Sequence, residues 1–263
     1  MIPILMYHRI DNISPDQDLY PGMTMSPIRF EAQMRFLVEH NFNCISLTEV
    51  LRCHRGEMPN PQRPIAITFD DGYRDNYENA WPVLKKYGFT ATIFLVANQI
   101  GKTNNWDRIG GQSAPALMSI DNILEMKKSG VEFGSHTLTH ASLTDLSDEE
   151  ARRQISESRQ VLEAHLDGPV PFFSYPYDRL NGTIQKMVAE SGYLGACGTS
   201  SLAHGPYNMW RVECLGFDSM ALFRMKAAGL YNRWMWFRDR TTVGKIAHRI
   251  KVRSRNNPER AGS

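Results

Sequence analysis

The sequence predicts an α/β fold, a (β/α) barrel of seven or eight parallel strands. Short apolar runs rich in β-branched and aromatic residues alternate with segments of helical periodicity, a pattern typical of parallel βαβ units. Polar side chains repeatedly follow the predicted strands directly, and barrel active sites lie at those strand ends. With 263 residues, of which 42% are hydrophobic, the chain is long enough to bury such a barrel as one domain.

The first third of the chain predicts strands and helices in alternation. Ser26 followed by Pro27 indicates a helix start, because serine caps helix N-termini and proline fits the first helical position. Pro64 precedes an apolar run rich in β-branched residues, which favours a strand over a helix. The predicted elements are a strand at about 2–6, a helix from 27, a strand at 43–47, a short helix capped by Thr48, a strand at 65–69 and a helix at about 77–87.

The remaining two thirds continue the same alternation. Ser147 and Glu150 form a capping-box pattern that predicts a helix start, and Gly130 marks the end of the helix before it. The predicted elements are strands at 90–96, 131–134, 171–175, 193–197 and 211–217, helices from about 120, from 148 and at 183–191, and a long Gly- and Asn-rich loop at 98–115.

Charge is distributed unevenly along the chain. Residues 231–263 hold nine Lys/Arg against two acids, whereas residues 1–230 hold 21 against 26. Apolar residues in 236–250 fall near helical spacing among the basic ones. We therefore predict a barrel domain (1–230) followed by a basic amphipathic extension (231–263), which contacts an anionic membrane surface or a protein partner. The alternative is a helix packed on the barrel with a solvated basic face and a disordered end after Arg253.

Composition disfavours several other classes of protein. No apolar run approaches the roughly 20 residues of a membrane span, and the N-terminal stretch lacks the basic region and cleavage site of a signal peptide. We therefore expect a cytoplasmic protein, with a membrane-peripheral location as the alternative. The four cysteines lack CxxC spacing, which disfavours a zinc ribbon and indicates reduced core residues.

Two adjacent carboxylates, Asp70 and Asp71, end the strand predicted at 65–69 and precede Gly72. Neighbouring carboxylates repel one another unless a positive charge lies beside them. A metal ion meets this need, because one carboxylate can bind it while the other stays free to move protons. The alternative is an ordinary turn, since Asp and Gly are common turn residues.

Two histidines, His136 and His140, follow the strand predicted at 131–134 at i, i+4 spacing. On a helical turn this spacing places both imidazoles on one face, where they can bind one ion. A single histidine here would more often be structural, but the pair favours a metal site. With Asp71 they supply two nitrogens and one oxygen, a set that suits zinc in a catalytic site with one open position.

A third stretch, 172–178, again runs from a predicted strand into a turn. One interpretation is a proline-containing turn covered by aromatic rings. The other is one wall of a substrate groove, with a backbone N–H able to meet an oxyanion.

Together the three stretches resemble the polysaccharide deacetylase family, the NodB-homology domain of carbohydrate esterase family 4. The matching motifs agree in order and spacing over about residues 2–217: Thr68-Phe69-Asp70-Asp71-Gly72, Ser135-His136 with His140, and Tyr175-Pro176-Tyr177. The resemblance implies a deformed (β/α) barrel that removes N-acetyl groups from amino-sugar polymers with a divalent metal. It also implies a role for each residue: Asp70 as general base, Asp71, His136 and His140 as metal ligands, and Tyr177 as the source of an oxyanion-hole N–H.

Two positions depart from the family pattern. Ser174 stands where an arginine commonly precedes the Pro-Tyr pair and orients the base, and Arg211 is the predicted replacement. The late Leu-x-His motif, which supplies the general acid, is matched only by 202–204 in a predicted loop. The first strand instead ends in Tyr7-His8-Arg9, similar to an exopolysaccharide-type branch with a permuted barrel. We therefore predict His8 as the general acid, with His204 as the alternative.

The sequence thus predicts a metal-dependent hydrolase that removes N-acetyl groups from an amino-sugar polysaccharide or its precursor, such as poly-N-acetylglucosamine. Zn²⁺ is the expected ion and an N-acetylated glycan the expected partner, with no nucleic acid. Two alternatives stay open: a metal-dependent C–N hydrolase acting on a small non-peptide amide, and a glycan-binding protein without catalysis. The complete predicted ligand set together with Asp70 argues against the second.

Overall fold

The computed structural model describes residues 2–13, 22–106, 114–200 and 205–240, the last five by their backbone only. The strands are, in chain order, β1 (Ile4–Tyr7), β2 (Arg9–Ile10), β3 (Thr24–Met25), β4 (Asn43–Cys44), β5 (Pro64–Phe69), β6 (Thr92–Leu95), β7 (Glu132–Ser135), β8 (Phe172–Ser174), β9 (Gly195–Gly198), β10 (Met209–Trp210) and β11 (Val212–Glu213). The helices are α1 (Pro27–Glu39), α2 (Leu47–His54), α3 (Trp81–Tyr87), α4 (Ile120–Lys128), α5 (Asp148–Leu166), α6 (Gly182–Glu190), α7 (Met220–Ala227) and α8 (Leu230–Arg240).

A parallel sheet with the strand order β10-β9-β8-β7-β6-β5-β1-β11 forms the centre of the fold. Its two edge strands are consecutive in the chain, because only Arg211 separates β10 from β11. The segment 209–213 pairs with β9 at its start and with β1 at its end. It therefore brings the two edges of the sheet together, and the sheet curves into a barrel. The predicted barrel of seven or eight parallel strands is confirmed.

Successive side chains of a strand face opposite sides of the sheet, and this alternation divides the apolar core in two. An outer cluster packs between the sheet and the helices and includes Ile65, Ile67 and Phe69 of β5. An inner cluster fills the barrel interior toward the amino ends of the strands and includes Ile4, Ala66, Phe94, Phe172, Cys197 and Met209. The interior positions nearer the carboxyl ends of the strands are polar: Thr68, Asp70, His136, Ser174 and Arg211. The barrel interior is thus apolar toward the amino ends of the strands and polar toward their carboxyl ends.

The inner barrel leaves no room for a side chain at Gly134 of β7. A Cβ there would lie 2.6 Å from the Phe94 ring and 2.9 Å from the carbonyl oxygen of Phe172. Glycine at this position lets β7 lie close enough to its neighbours to carry His136 to the rim.

Two predicted strands are reduced to two residues each. The strand predicted at 43–47 ends at Cys44, because Ser46 caps α2 in a capping box with Glu49. The Ser46 hydroxyl accepts the Glu49 N–H at 3.2 Å, and the Glu49 carboxylate accepts the Ser46 N–H at 2.8 Å. The prediction of Thr48 as the cap is therefore wrong. The strand predicted at 211–217 is reduced to β11, since a turn follows it.

The predicted helix at 77–87 begins as a π-helical turn, Asn76–Ala80, that continues into α3. Part of the loop predicted at 98–115 and most of the extension predicted at 231–263 lie outside the described residues, although α8 runs across the predicted domain boundary. Among the described residues, no helix has the length and hydropathy needed to cross a lipid bilayer.

Candidate metal and catalytic site

The loops that follow β5 and β7 bring three predicted ligands together at one end of the barrel. Asp71 comes two residues after β5, and His136 follows β7 directly. In the described part of the chain, Asp71, His136 and His140 are the single group of His, Cys, Asp or Glu with ligand atoms all within 4.8 Å of one another. All three side chains are buried.

The backbone turns sharply at Asp71, which lets two neighbouring carboxylates serve one site. Asp70 continues the alternation of β5 into the barrel, and the next side chain would ordinarily face outward. Asp71 instead has a φ of 72° and Gly72 a φ of 73°, in the left-handed region that glycine adopts freely and aspartate tolerates. A Cβ at Gly72 would also lie 2.7 Å from the Leu95 side chain.

The prediction of a helical turn between His136 and His140 is wrong. The segment is an irregular turn in which Thr137 and His140 have φ values of 68° and 63°, and a β-branched residue such as threonine is rare in that region. The spacing nevertheless brings both rings to one carboxylate oxygen. Asp71 Oδ1 lies 3.5 Å from Nε2 of His136 and 3.2 Å from Nε2 of His140.

The other nitrogen of each imidazole is already engaged, which leaves both Nε2 atoms for an ion. His136 Nδ1 lies 2.8 Å from the Ser174 carbonyl oxygen. Because a carbonyl only accepts hydrogen bonds, Nδ1 carries the hydrogen and Nε2 holds the lone pair. His140 Nδ1 lies 3.0 Å from the Tyr177 hydroxyl. Metal-binding histidines are typically held in this way by their second nitrogen.

This donor set fits a divalent metal ion. Asp71 Oδ1 is buried and accepts no hydrogen bond, a costly state for a carboxylate oxygen unless a cation lies beside it. Burial raises the pKa of Asp71, but His140 and His136 outweigh burial and hold the pKa well below its usual range. Burial lowers the pKa of His136 to about 4, so its ring is neutral near pH 7. Two imidazoles and one carboxylate are a known ligand set of catalytic zinc.

Asp70 is held in a buried, bidentate ion pair with Arg211. Arg211 Nη1 donates to Asp70 Oδ1 at 2.6 Å, and Nη2 donates to Oδ2 at 2.7 Å. The Ser174 hydroxyl accepts from Nη2 at 2.7 Å and donates to Asp70 Oδ2 at 3.3 Å. Burial raises the pKa of Asp70, but Arg211 and His136 outweigh it and the pKa is lowered. Asp70 is therefore ionised and fixed in orientation. Arg211 contacts the predicted base, and its part in catalysis stays a prediction.

Strand register places His8 beside Asp70. In the parallel pair of β1 and β5, Tyr7 is aligned with Phe69, so the next residue of each chain segment lies at the same level of the barrel. The Asp70 N–H donates to the Tyr7 carbonyl oxygen at 3.0 Å and extends this pairing. The alternative acid, His204, lies outside the described residues.

Two side chains that sequence reasoning missed anchor the segment at His8. Asn76 Nδ2 donates to the His8 carbonyl oxygen at 2.8 Å. Asp75 accepts from Arg9 Nε and from the Ile10 N–H, each at 2.9 Å. A signal was present, because a polar pair stands at the start of the helical segment that follows the Asp70-Asp71 turn.

Two aromatic side chains enclose His140. The Trp106 ring stacks on the imidazole with centroids 4.7 Å apart and planes 23° apart. The Tyr177 ring meets it edge-on, again at 4.7 Å and with planes 75° apart. Half of the Tyr177 surface is exposed, so this side chain also forms part of the rim. Trp106 was not predicted, because nothing in its loop sequence distinguishes it from an ordinary surface tryptophan.

Left-handed backbone conformations are concentrated at this site. Five non-glycine residues of the three motifs have φ between 53° and 72°: Asp71, Thr137, His140, Tyr177 and Asp178. Conformations of this kind cost roughly 1–3 kcal/mol each and cluster where function requires a particular geometry. The backbone at the site is therefore locally destabilised, a free-energy cost that an ordinary set of turns would avoid.

Comparisons with known proteins find relatives that match most of the chain. The YxkH protein of Bacillus subtilis strain 168 is 29% identical over 216 residues, 81% of this chain and 71% of its own. A poly-β-1,6-N-acetyl-D-glucosamine N-deacetylase of Staphylococcus epidermidis is 29% identical over 206 residues, 72% of this chain and 68% of its own. The Streptococcus pyogenes deacetylase PplD, solved in complex with acetate, aligns with a TM-score of 0.74 at 26% identity, covering 86% of this chain and 97% of that one.

The model of the polysaccharide deacetylase family matches residues 57–196. This range is more than half of the chain and contains Asp70, Asp71, His136, His140 and Tyr177. The protein belongs to the polysaccharide deacetylase family.

Proposed function

We propose that this protein removes N-acetyl groups from an amino-sugar polysaccharide of the poly-N-acetylglucosamine type, with a divalent ion, Zn²⁺ by its donor set, bound by Asp71, His136 and His140. One observation carries the proposal: a buried Asp-His-His set lies beside a second, ionised carboxylate that is held by Arg211. Metal-assisted amide hydrolysis needs both parts, a ligand set and a base that is not itself a ligand. The name of the S. epidermidis relative supports the substrate class.

When bound there, a divalent ion supplies Lewis acidity toward a carbonyl oxygen and lowers the pKa of water. Asp70 takes the proton of the attacking water. Its two oxygens offer about four lone pairs, so the contacts with Arg211 and Ser174 leave acceptor capacity for that proton. Arg211 keeps Asp70 ionised and also lowers its basicity. The ion pair therefore serves to orient the Asp70 carboxylate and does not raise its affinity for a proton.

Two further groups complete the proposed reaction. The Tyr177 N–H donates a hydrogen bond to the oxyanion that develops on the acetyl carbonyl, and its φ of 59° fixes the peptide that carries this N–H. His8 donates a proton to the amine nitrogen as the C–N bond breaks, a role suited to imidazole near neutral pH. The products are acetate and a free amino sugar.

The proposed function is tested by acetate release from N-acetylglucosamine oligomers of increasing length. We expect release that rises with chain length, stops after treatment with a chelator and returns when Zn²⁺ is added back. Release from small non-sugar amides at comparable rates, with none from the oligomers, would overturn the substrate class. Activity that survives complete removal of metal would overturn the mechanism.

His8→Ala is expected to lower kcat by about 10²-fold or more, within the range that general acids contribute. Metal content and thermal stability should stay near those of the wild type, because the anchors of this segment, Asn76 and Asp75, contact backbone and Arg9 rather than the imidazole. His204→Ala is the matched control and should retain nearly full kcat. A large loss of kcat in His204→Ala, with near-normal kcat in His8→Ala, would identify His204 of the late motif as the general acid.

A further inference from the structure

Helices α7 and α8 form a hairpin with an outer surface that is both apolar and basic. Gly229 forms the turn with a φ of 70°. The exposed residues of the hairpin include three large apolar side chains, with exposed fractions of 42% for Met225, 51% for Leu230 and 53% for Trp234. Arg224 and Arg233 are exposed among them. We call these five residues the hairpin face.

Helix α7 is packed firmly on its inner side, so the exposure of Arg224 and Met225 does not come from a loosely held helix. Phe223 is fully buried and meets Phe36 of α1 edge-on, with ring centroids 6.0 Å apart. Lys226 is also buried, and its ammonium donates to the Glu213 carbonyl oxygen at 2.7 Å and to the Asp218 carboxylate. Helix α7, which bears Arg224 and Met225 of the hairpin face, is therefore held in place on the barrel.

The hairpin and the segment that follows it are basic in sequence. Residues 219–235 contain no Asp or Glu, and residues 236–263 add eight Lys/Arg against two acids. The rest of the chain carries an excess of acids. Two copies of the hairpin face would bring arginines against arginines, which disfavours self-association through this surface. An anionic partner is complementary to it.

We propose that the hairpin face docks on an anionic lipid bilayer. Tryptophan, leucine and methionine beside arginine are the composition of segments that lie in the interface of a membrane, where the rings enter the headgroup region and the guanidinium groups meet phosphates. The turn of the hairpin lies near the amino end of β1, since a Cβ at Gly229 would be 3.6 Å from the Pro3 ring. Asp70 lies at the opposite end of the barrel. A docked protein therefore presents its candidate site to water.

The test is sedimentation of the full chain with vesicles of phosphatidylcholine alone and of phosphatidylcholine mixed with phosphatidylglycerol. We expect binding to the anionic vesicles that weakens with salt. The double variant Arg224→Glu/Arg233→Glu should lower the partition coefficient at least about tenfold, because each basic residue near such a surface strengthens binding severalfold. Trp234→Ser should also weaken binding. Thermal unfolding of each variant checks that the fold is kept.

Matched controls come from exposed residues elsewhere on the barrel. Arg152 and Lys186 lie on α5 and α6 with 51% and 77% of their side chains exposed, and Phe217 is 65% exposed. Arg152→Glu/Lys186→Glu and Phe217→Ser should bind the vesicles like the wild type. Equal losses in these controls would overturn the proposal, as would equal binding to both kinds of vesicle. The proposal would also be overturned if a chain without residues 241–263 no longer bound the anionic vesicles while the Arg224→Glu/Arg233→Glu variant still did.

Discussion

Asp70→Asn is expected to lower kcat by about 10²- to 10⁴-fold, because asparagine keeps the shape of the side chain but cannot accept a proton from water. Zn²⁺ binding should persist, since Asp70 is not among the three proposed ligands. Acetate release and elemental analysis of the same preparation measure the two effects. Asp121→Asn, at an exposed position in the first turn of α4, is the matched control and should retain full activity.

The same substitution is expected to reduce the free energy of unfolding. Asp70→Asn leaves the Arg211 guanidinium buried without its counter-ion, and breaking a buried pair in this way costs about 3–5 kcal/mol. Adding Arg211→Met removes the unpaired charge and should restore part of the stability but none of the turnover. Urea unfolding of the single and double variants separates the two roles of Asp70. A single variant as stable as the wild type would contradict the importance of the pair to the fold.

His136→Ala or His140→Ala is expected to abolish metal binding and activity together. Each change removes one of three ligands and leaves the Asp71 carboxylate buried with less positive charge beside it. The wild type should bind about one Zn²⁺ in this three-ligand site, and saturating Zn²⁺ should raise its unfolding free energy by about 2.7 kcal/mol at one hundred times Kd. Neither alanine variant should show that increase.

The matched control for the ligand variants is His165→Ala, at an exposed position on α5. It should keep both the metal and the stabilisation by Zn²⁺. Full occupancy in His136→Ala would place the ion elsewhere in the protein.

The sequence was sufficient to predict the fold class and to show which strand ends the candidate site residues follow. Strand periodicity predicts which strands carry reactive residues at their ends, and parallel strands bring those ends to one rim. The pairing of Asp70 with Arg211 joins residues 141 positions apart. A single sequence does not show which residues meet when a sheet closes, so Arg211 could be named only by resemblance and by its place at the start of a strand.

The sequence also did not predict the local backbone conformation at the site. The i, i+4 spacing of His136 and His140 is compatible with a helical turn, and residue type alone does not reveal that Thr137 adopts a left-handed conformation. Tertiary contacts decide that conformation. Among them, the Gln154 side-chain oxygen accepts hydrogen bonds from two N–H groups of the turn at 3.1 and 3.2 Å. For the same reason the stacking of Trp106 on His140 has no counterpart in the sequence pattern.

The segment 209–213 also sets the order in which the protein can mature as it is synthesised. A chain leaves the ribosome with its amino end first, so Asp70, Asp71, His136 and His140 all emerge well before Arg211. Until 209–213 docks between β9 and β1, the Asp70 carboxylate has no guanidinium beside it and the sheet has two free edges. The last strand and the counter-ion of Asp70 arrive together. A nascent chain that ends before residue 209 therefore carries every proposed metal ligand but an unpaired Asp70.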